Sequence, residues 1–460
     1  MIFKPTLASG TTLSGLGQCH QHLSQGSRDG NPGLGVANRF AVNLGGPILS
    51  ASGSLFESSA LTGLALVIRL LWVWFGAWDS GDSRWYVSVA RNLAFHYSFS
   101  SGNSPNLSPT AFRPPLYSTL IAALWLRDSP PIFAVLLLQT VLGAATVALV
   151  YLIAREQFGR GVALLASVGM ALAPMTGHFT AVILSETLFT FLLTLGVFLW
   201  GRKRYASTGI VFGIAALARV TILPFLVLLP LLTYLRPWRS CRRSYSIIVL
   251  VSFVIVSPWV VRNAIVFHGF IPVASSGYGT NLLLGTQNTR DADNVSARKE
   301  FLRSIDASAG NVNDETEADR VRLRAALRQI ANHPGQWLRA RAQQYPRLFI
   351  DSGSYLFGDG STPFRTALRE RRIGQVLVRT AFIAGNSLLF LFALFGMIIE
   401  RARSVSLSHI TLFPIFLCLI SLPLWIEPRY GLPMMPLVAI LASVGVLALV
   451  KCRLLRKTGC

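Results

Sequence analysis

The run Trp78-Asp79-Ser80-Gly81-Asp82-Ser83-Arg84-Trp85-Tyr86 sets two carboxylates and an arginine directly after an apolar stretch, and Glu186, Arg262 and Arg429 fall at other apolar boundaries. Ionisable side chains at a membrane edge are functional candidates by default. An acid with several arginines suits displacement of a phosphate leaving group. A carboxylate takes the proton of an incoming hydroxyl, typically worth about 10²–10⁴-fold. Cations meet the charge that develops on the departing phosphate. Asp82 is the first candidate for the acid. Asp79 is the second, although its position also fits the N-cap of the following helix.

Long apolar elements must carry these residues. Only 13% of the 460 residues are charged, against about 25% in an ordinary soluble chain. Runs such as Ile132–Ile153 and Ser387–Ile399 are too uniformly apolar for surface helices. Apolar segments fall near 60–78, 131–153, 161–177, 181–200, 206–219, 221–235, 245–264, 377–399, 408–425 and 431–450. They predict an all-α polytopic membrane protein with about ten transmembrane helices. The formal charge of +22 sits in short clusters between segments: Arg155 and Arg160; Arg202–Arg204; Arg236, Arg239, Arg242 and Arg243; Arg401 and Arg403; Lys451–Lys457. That alternation follows the positive-inside rule and excludes the single basic face of a nucleic-acid binder. It predicts cytoplasmic termini and two long outer loops, Asp79–Pro130 and His268–Gln375.

The expected organisation is a disordered cytoplasmic tail over 1–57 and a transmembrane module over 58–267 that contains the first outer loop, 79–130. An extracytoplasmic insertion over 268–376 and C-terminal transmembrane helices over 377–460 complete it. In the first loop, Asp82–Tyr97 mixes aromatic and polar residues as an interfacial helix does. A second short helix, Arg113–Leu126, opens on Pro114 and Pro115. The insertion holds a basic amphipathic helix, Glu317–Asn332, that suits either anionic headgroups or packing on the protein.

No GxxxxGK[ST] phosphate loop occurs, and an outward-facing site has no access to cytosolic nucleotides. Group transfer there needs an activated donor already in the membrane, and lipid-linked phosphates fit.

At Asp82, Tyr86 and Arg113-Pro114-Pro115-Leu116-Tyr117 the chain resembles the first outer loop of the GT-C superfamily. The similar branch is the protein O-mannosyltransferase and lipid A aminoarabinose transferase group, glycosyltransferase family 39 and relatives. Ser185-Glu186-Thr187-Leu188, Ser257-Pro258-Trp259-Val260-Val261-Arg262-Asn263, Asn332-His333-Pro334 and Pro428-Arg429-Tyr430-Gly431-Leu432-Pro433 extend the likeness in family order. The resemblance implies a polyprenyl-phosphate sugar donor, inversion at the anomeric carbon and an extracytoplasmic site. The acceptor would be a glycolipid, glycan or protein, and the location a bacterial inner (plasma) membrane. Asp82 would be the catalytic acid of a D-E pair whose second member is Ser83 here. Arg113 would be the basic residue near the donor phosphate, and Arg84 stands one place earlier than the arginine expected near the tyrosine. Arg84, Tyr86, Tyr117, Glu186, Arg262, Arg429 and Tyr430 complete the candidate substrate-binding set.

Some relatives bind a divalent cation, and His178 and Glu186 could supply ligands. A helix-start carboxylate and a loop histidine explain the same residues, so no metal ligand is assigned. Asp291-Ala292-Asp293 matches a three-residue nucleotide-sugar motif but lacks the alternating strands and helices of such enzymes. Two other functions share the topology. A secondary transporter would show internal repeats and midplane charges, for which only Arg69 and Arg219 qualify. A ligase or polymerase using a lipid-diphosphate glycan would differ in motif order.

Overall fold

The computed structural model describes residues 51–76, 79–127, 129–275, 277–288, 295–308, 310, 315–353, 364–403 and 409–457. The Asp291–Asp293 motif and most of the N-terminal tail lie outside the described residues. Helix α1 begins at Ala51 and runs to Phe75, so the last seven residues assigned to the tail are helical. Glu57 shows why: its carboxylate accepts from Tyr151 and pairs with Arg160 at 2.7 Å, extending the helix beyond its apolar part.

After α1 come α2 (Gly81–His96), a two-stranded antiparallel ribbon of β1 (Ser100–Ser101) and β2 (Ser108–Pro109), and α3 (Pro115–Ala123). The helical body continues as α4 (Ile132–Phe158), α5 (Arg160–Leu172), α6 (Pro174–Thr180), α7 (Glu186–Gly201), α8 (Tyr205–Ala218), α9 (Leu223–Leu232) and α10 (Arg242–Phe267). The insertion contributes α11 (Tyr278–Leu284), α12 (Val295–Ser308), α13 (Glu315–Asn332), α14 (Pro334–Gln344) and α15 (Phe364–Arg369). The chain closes with α16 (Ile373–Arg403), α17 (His409–Ser421), a 3-10 turn over Pro428–Met434 and α18 (Met435–Lys457).

Each of the ten predicted apolar segments coincides with helix. Among the described residues, five helices are able by length and composition to cross a bilayer: Gly53–Phe75, Ile132–Phe158, Trp238–Phe267, Ile373–Glu400 and Pro428–Arg453. The segment predicted over 161–177 is a pair, α5 and α6, bent by 52° at Pro174, and counts as a sixth if it spans as one. Proline lacks the N–H that would continue the ladder. The remaining four apolar helices are shorter, between 10 and 17 residues.

Small residues let neighbouring helices close on one another, as in membrane helix pairs generally. A Cβ on Gly209 of α8 would stand 2.7 Å from the Ile248 carbonyl of α10, and one on Gly213 would stand 2.7 Å from Ile255 Cβ. Gly396 of α16 and Gly445 of α18 face each other in the same way, each against partner backbone. The resulting core includes Tyr151, Phe189, Phe212, Phe225 and Phe413, all fully buried.

The insertion is fastened to the region that holds the site. Asp319 of α13 accepts the backbone N–H groups of Gly279 and Thr280 at the start of α11, each at 3.0 Å. Arg322 pairs with Asp306 at 2.6 Å. One face of the basic amphipathic helix is therefore packed on protein, with Ala326 buried. Arg341 donates to the carbonyls of Leu424 and Gly285, and Trp425 N–H donates to Asn281 O at 2.8 Å. These bonds fix the turn that leads into Glu427, Pro428 and Arg429.

Candidate active site

The first turn of α2 is set by two serines. Ser80 is the N-cap: its hydroxyl accepts from the Ser83 N–H at 3.2 Å, and the Ser83 hydroxyl accepts from the Ser80 N–H at 3.1 Å. Asp79 is therefore not the cap expected from the sequence. With serine at both ends of the box, the loop closes on itself and Asp79 stands one residue too early. Its Oδ2 instead accepts from Arg84, whose side chain is 77% exposed, at 2.6 Å. The cap directs Asp82 and, one turn later, Tyr86 to the same side of the helix.

The loop after α2 delivers Arg113. Asn92 holds the ribbon by donating to the carbonyls of Ser100 and Gly102 at 2.9 and 3.0 Å. Arg262, from α10, donates to the carbonyls of Thr110 and Phe99 at 3.1 and 3.2 Å. Ser275 N–H reaches Ala111 O at 2.7 Å. Arg113 then lies under three rings, 5.3 Å from the centroid of Phe112, 5.5 Å from Tyr86 and 6.0 Å from Trp85, close enough for cation–π attraction.

Beneath this loop a buried polar chain orders the start of α7. Tyr117 donates to Gln139, whose amide donates to the carbonyls of Thr180 and Val182 at 2.8 and 2.9 Å. Ser185 Oγ lies 3.2 Å from the Tyr86 hydroxyl and 3.4 Å from Arg219 Nη1. Glu186, next in sequence, is only 2% exposed and pairs with Arg219 at 2.7 Å.

The two layers meet through Arg429. Arg113 Nη2 donates to Asp82 Oδ1 at 2.6 Å, and Arg429 Nη2 lies 2.9 Å from Asp82 Oδ2. Arg429 Nε faces Glu427 and lies 3.7 Å from Glu186 Oε1. Three carboxylates and three guanidinium groups from distant parts of the chain thus form one network. Burial pushes the Asp82 carboxyl up, but the guanidinium groups of Arg113 and then Arg429 outweigh it and hold it below the usual carboxylate range. Asp82 is ionised at neutral pH. Among the described residues, Arg113 Nε and Glu186 Oε2 are buried without a hydrogen-bond partner.

Asp82, Tyr86, Arg113, Glu186 and Arg429, all singled out in the sequence, come together here, with Tyr117 immediately below. Tyr430 flanks the network, its ring 5.8 Å from the Arg429 guanidinium carbon and edge-on to Trp425. Asp79 and Arg84 form a separate exposed pair, and Arg262 is engaged with backbone carbonyls of the loop. Arg219, Glu427, Ser185 and Gln139 belong to the network but were not among the predicted site residues. Arg219 was legible as a charge between two apolar segments, and Glu427 as the residue before Pro428-Arg429. Gln139 carries no signal in a long apolar helix beyond being polar.

A divalent cation does not fit this arrangement. Each Asp82 oxygen is already engaged by a guanidinium, and the three arginines oppose a second positive charge. His178 packs against the rings of Trp72 and Phe179, at 6.2 and 5.1 Å between centroids. Among the described residues, no three His, Cys, Asp or Glu side chains group as metal ligands.

A family model described as dolichyl-phosphate-mannose-protein mannosyltransferase matches residues 113–261, less than half of the chain. No curated protein matches the sequence. Among solved structures, the chain is similar to the archaeal oligosaccharyltransferase AglB from Archaeoglobus fulgidus in complex with an inhibitory peptide and a dolichol-phosphate. The TM-score is 0.50 at 14% identity, covering 88% of this chain and 51% of that one. The Archaeoglobus fulgidus oligosaccharyltransferase in complex with Zn and sulfate gives a TM-score of 0.49 at 15% identity, covering 87% and 49%. This chain spans about half the length of those enzymes.

Proposed function

We propose that this chain, a GT-C type membrane glycosyltransferase, moves a sugar from a polyprenyl-phosphate donor to an acceptor hydroxyl on the extracytoplasmic face, with inversion. The observation that carries this reading is the Asp82 carboxylate flanked by Arg113 and Arg429, at 2.6 and 2.9 Å, in the first loop after an apolar helix. The matched family's description names dolichyl-phosphate-mannose and a protein, and the structural neighbour was solved with a dolichol-phosphate and a peptide. Both support a lipid-phosphate donor. The alternation of basic clusters between apolar segments supports cytoplasmic termini and an outer site. Glycolipid, glycan and protein remain the acceptor classes.

In this mechanism Asp82 takes the proton of the acceptor hydroxyl as its oxygen bonds to the anomeric carbon. The bond from that carbon to the phosphate oxygen breaks, and its electron pair leaves with the polyprenyl phosphate. Attack on the face opposite the leaving group inverts the anomeric configuration. Arg113 and Arg429 receive the phosphate charge through paired N–H donors. Glu186, itself anchored by Arg219, holds Arg429 from below and keeps its guanidinium aimed at the loop.

The test is a panel of radiolabelled polyprenyl-phosphate sugars incubated with the purified chain and candidate acceptors. Release of polyprenyl phosphate that depends on acceptor, with the label of opposite anomeric configuration in the product, is the expected result. Transport of a solute without bond cleavage, or use of only a lipid diphosphate, would replace this reading.

A further inference from the structure

We propose that in the resting protein Asp82 occupies the guanidinium groups that the donor phosphate takes over, so that donor binding itself uncovers the base. This rests on the transferase reading above. A carboxylate oxygen already accepting a charge-assisted hydrogen bond is a poor acceptor for a hydroxyl proton. Here each oxygen has a lone pair committed to a guanidinium, Oδ1 to Arg113 at 2.6 Å and Oδ2 to Arg429 at 2.9 Å, which weakens the carboxylate as a base. Asp82 as found is masked. An anion that engages the same two cations is what unmasks it.

The surroundings of the two arginines suit such an exchange. Arg113 is held among Trp85, Tyr86 and Phe112 whatever anion it faces, and its Nε has no hydrogen-bond partner among the described residues. Arg429 keeps Glu427 and Glu186 on its other side, so releasing Asp82 does not leave it without an anion. The side chains of Asp82, Arg113 and Arg429 are 25, 29 and 19% exposed, within reach of a ligand, whereas Glu186 at 2% is sealed below. Asp82 thus stands in for the phosphate until the phosphate arrives.

Asp82 and phosphate therefore compete, and removing the carboxylate charge strengthens phosphate binding even as it removes the base. The experiment is equilibrium binding of a polyprenyl phosphate in detergent micelles to the full purified chain, as wild type, Asp82→Asn and Glu317→Gln. Glu317 is exposed on α13 and controls for net charge. Asp82→Asn is expected to bind at least tenfold tighter, since at an effective dielectric near 20 a like charge removed within about 12 Å of the phosphate already relieves that much repulsion. Glu317→Gln is expected to match wild type. Inorganic phosphate should show the same ordering, which assigns the gain to the headgroup rather than the polyprenyl chain. Asp82→Ala gives the same gain and serves if the asparagine variant does not fold. Equal or weaker binding in the Asp82 variants, or an equal gain in Glu317→Gln, overturns the proposal. Tighter binding together with undiminished transfer would uphold the competition while removing Asp82 as the base, so the two readings fail separately.

Discussion

Arg113 and Arg262 were both candidates for holding a phosphate, and both sit among three aromatic rings. Arg262 lies 4.8 Å from the centroid of Trp259, 5.3 Å from Phe267 and 5.8 Å from Phe99. What differs is the partner of the guanidinium. Arg262 donates to the carbonyls of Thr110 and Phe99 in the loop it closes and to Asn263 Oδ1 on its own helix, all neutral acceptors. Arg113 donates to a partly exposed carboxylate and keeps its Nε unpaired among the described residues. Neutral backbone acceptors make a clasp, because losing them leaves buried polar groups unsatisfied. An anionic partner makes a site, because another anion can replace it. Aromatic surroundings alone do not separate the two roles.

The largest effect expected around this contrast is on the acid that Arg113 faces. Asp82→Asn keeps shape and removes the base, so single-turnover transfer should fall by about 10²-fold or more at matched expression and donor occupancy. Near-normal transfer would move the base to another carboxylate. Next comes Arg113→Ala, which should weaken donor binding by roughly tenfold or more in an equilibrium assay. Arg113→Lys should recover only part, since ammonium lacks the planar pair of donors. Unchanged donor affinity in Arg113→Ala would erase the distinction from Arg262. Arg262→Ala should act instead on stability, by about 1–3 kcal/mol for the carbonyls left unpaired, read as a lower melting temperature. The fraction that remains folded should bind donor as wild type does. The smallest effect belongs to Asp79→Asn: its partner Arg84 is exposed, and such pairs contribute about 0–1 kcal/mol. Its transfer rate should stay within about twofold of wild type.

Much of this was legible in the sequence wherever the signal was local. Apolar length marked the helices, and Pro114-Pro115 marked the start of α3. Acids and arginines at apolar boundaries marked Asp82, Glu186 and Arg429, and the family resemblance marked Arg113. What could not be read was which of them meet. Asp79 and Asp82 are equivalent by composition, and the choice between them turns on Ser80 and Ser83 closing a cap that points Asp82 inward. Arg262 resembles Arg113 until its backbone partners, more than 150 residues away in the chain, are known. The break between α5 and α6 at Pro174 falls inside a stretch whose hydropathy alone reads as one span. Gln139 is invisible as a site residue because its role is to pin the 180–182 backbone ahead of Glu186.

The most direct test of the account is the pH dependence of transfer in wild type and Asp82→Asn, followed as kcat/KM. Asp82 must be ionised to act as a base, and its carboxyl in the free protein is held below the ordinary carboxylate range: burial opposes this, and Arg113 with Arg429 prevails. The sign follows. Wild-type kcat/KM should stay level from neutral pH down through the usual carboxylate range and fall only below it, as Asp82 gains its proton. If donor binding draws the two arginines away, the acid limb of kcat should lie at higher pH than that of kcat/KM. In Asp82→Asn the limb should vanish from the residual activity. A limb that persists unchanged in the variant would contradict the assignment of Asp82 as the base.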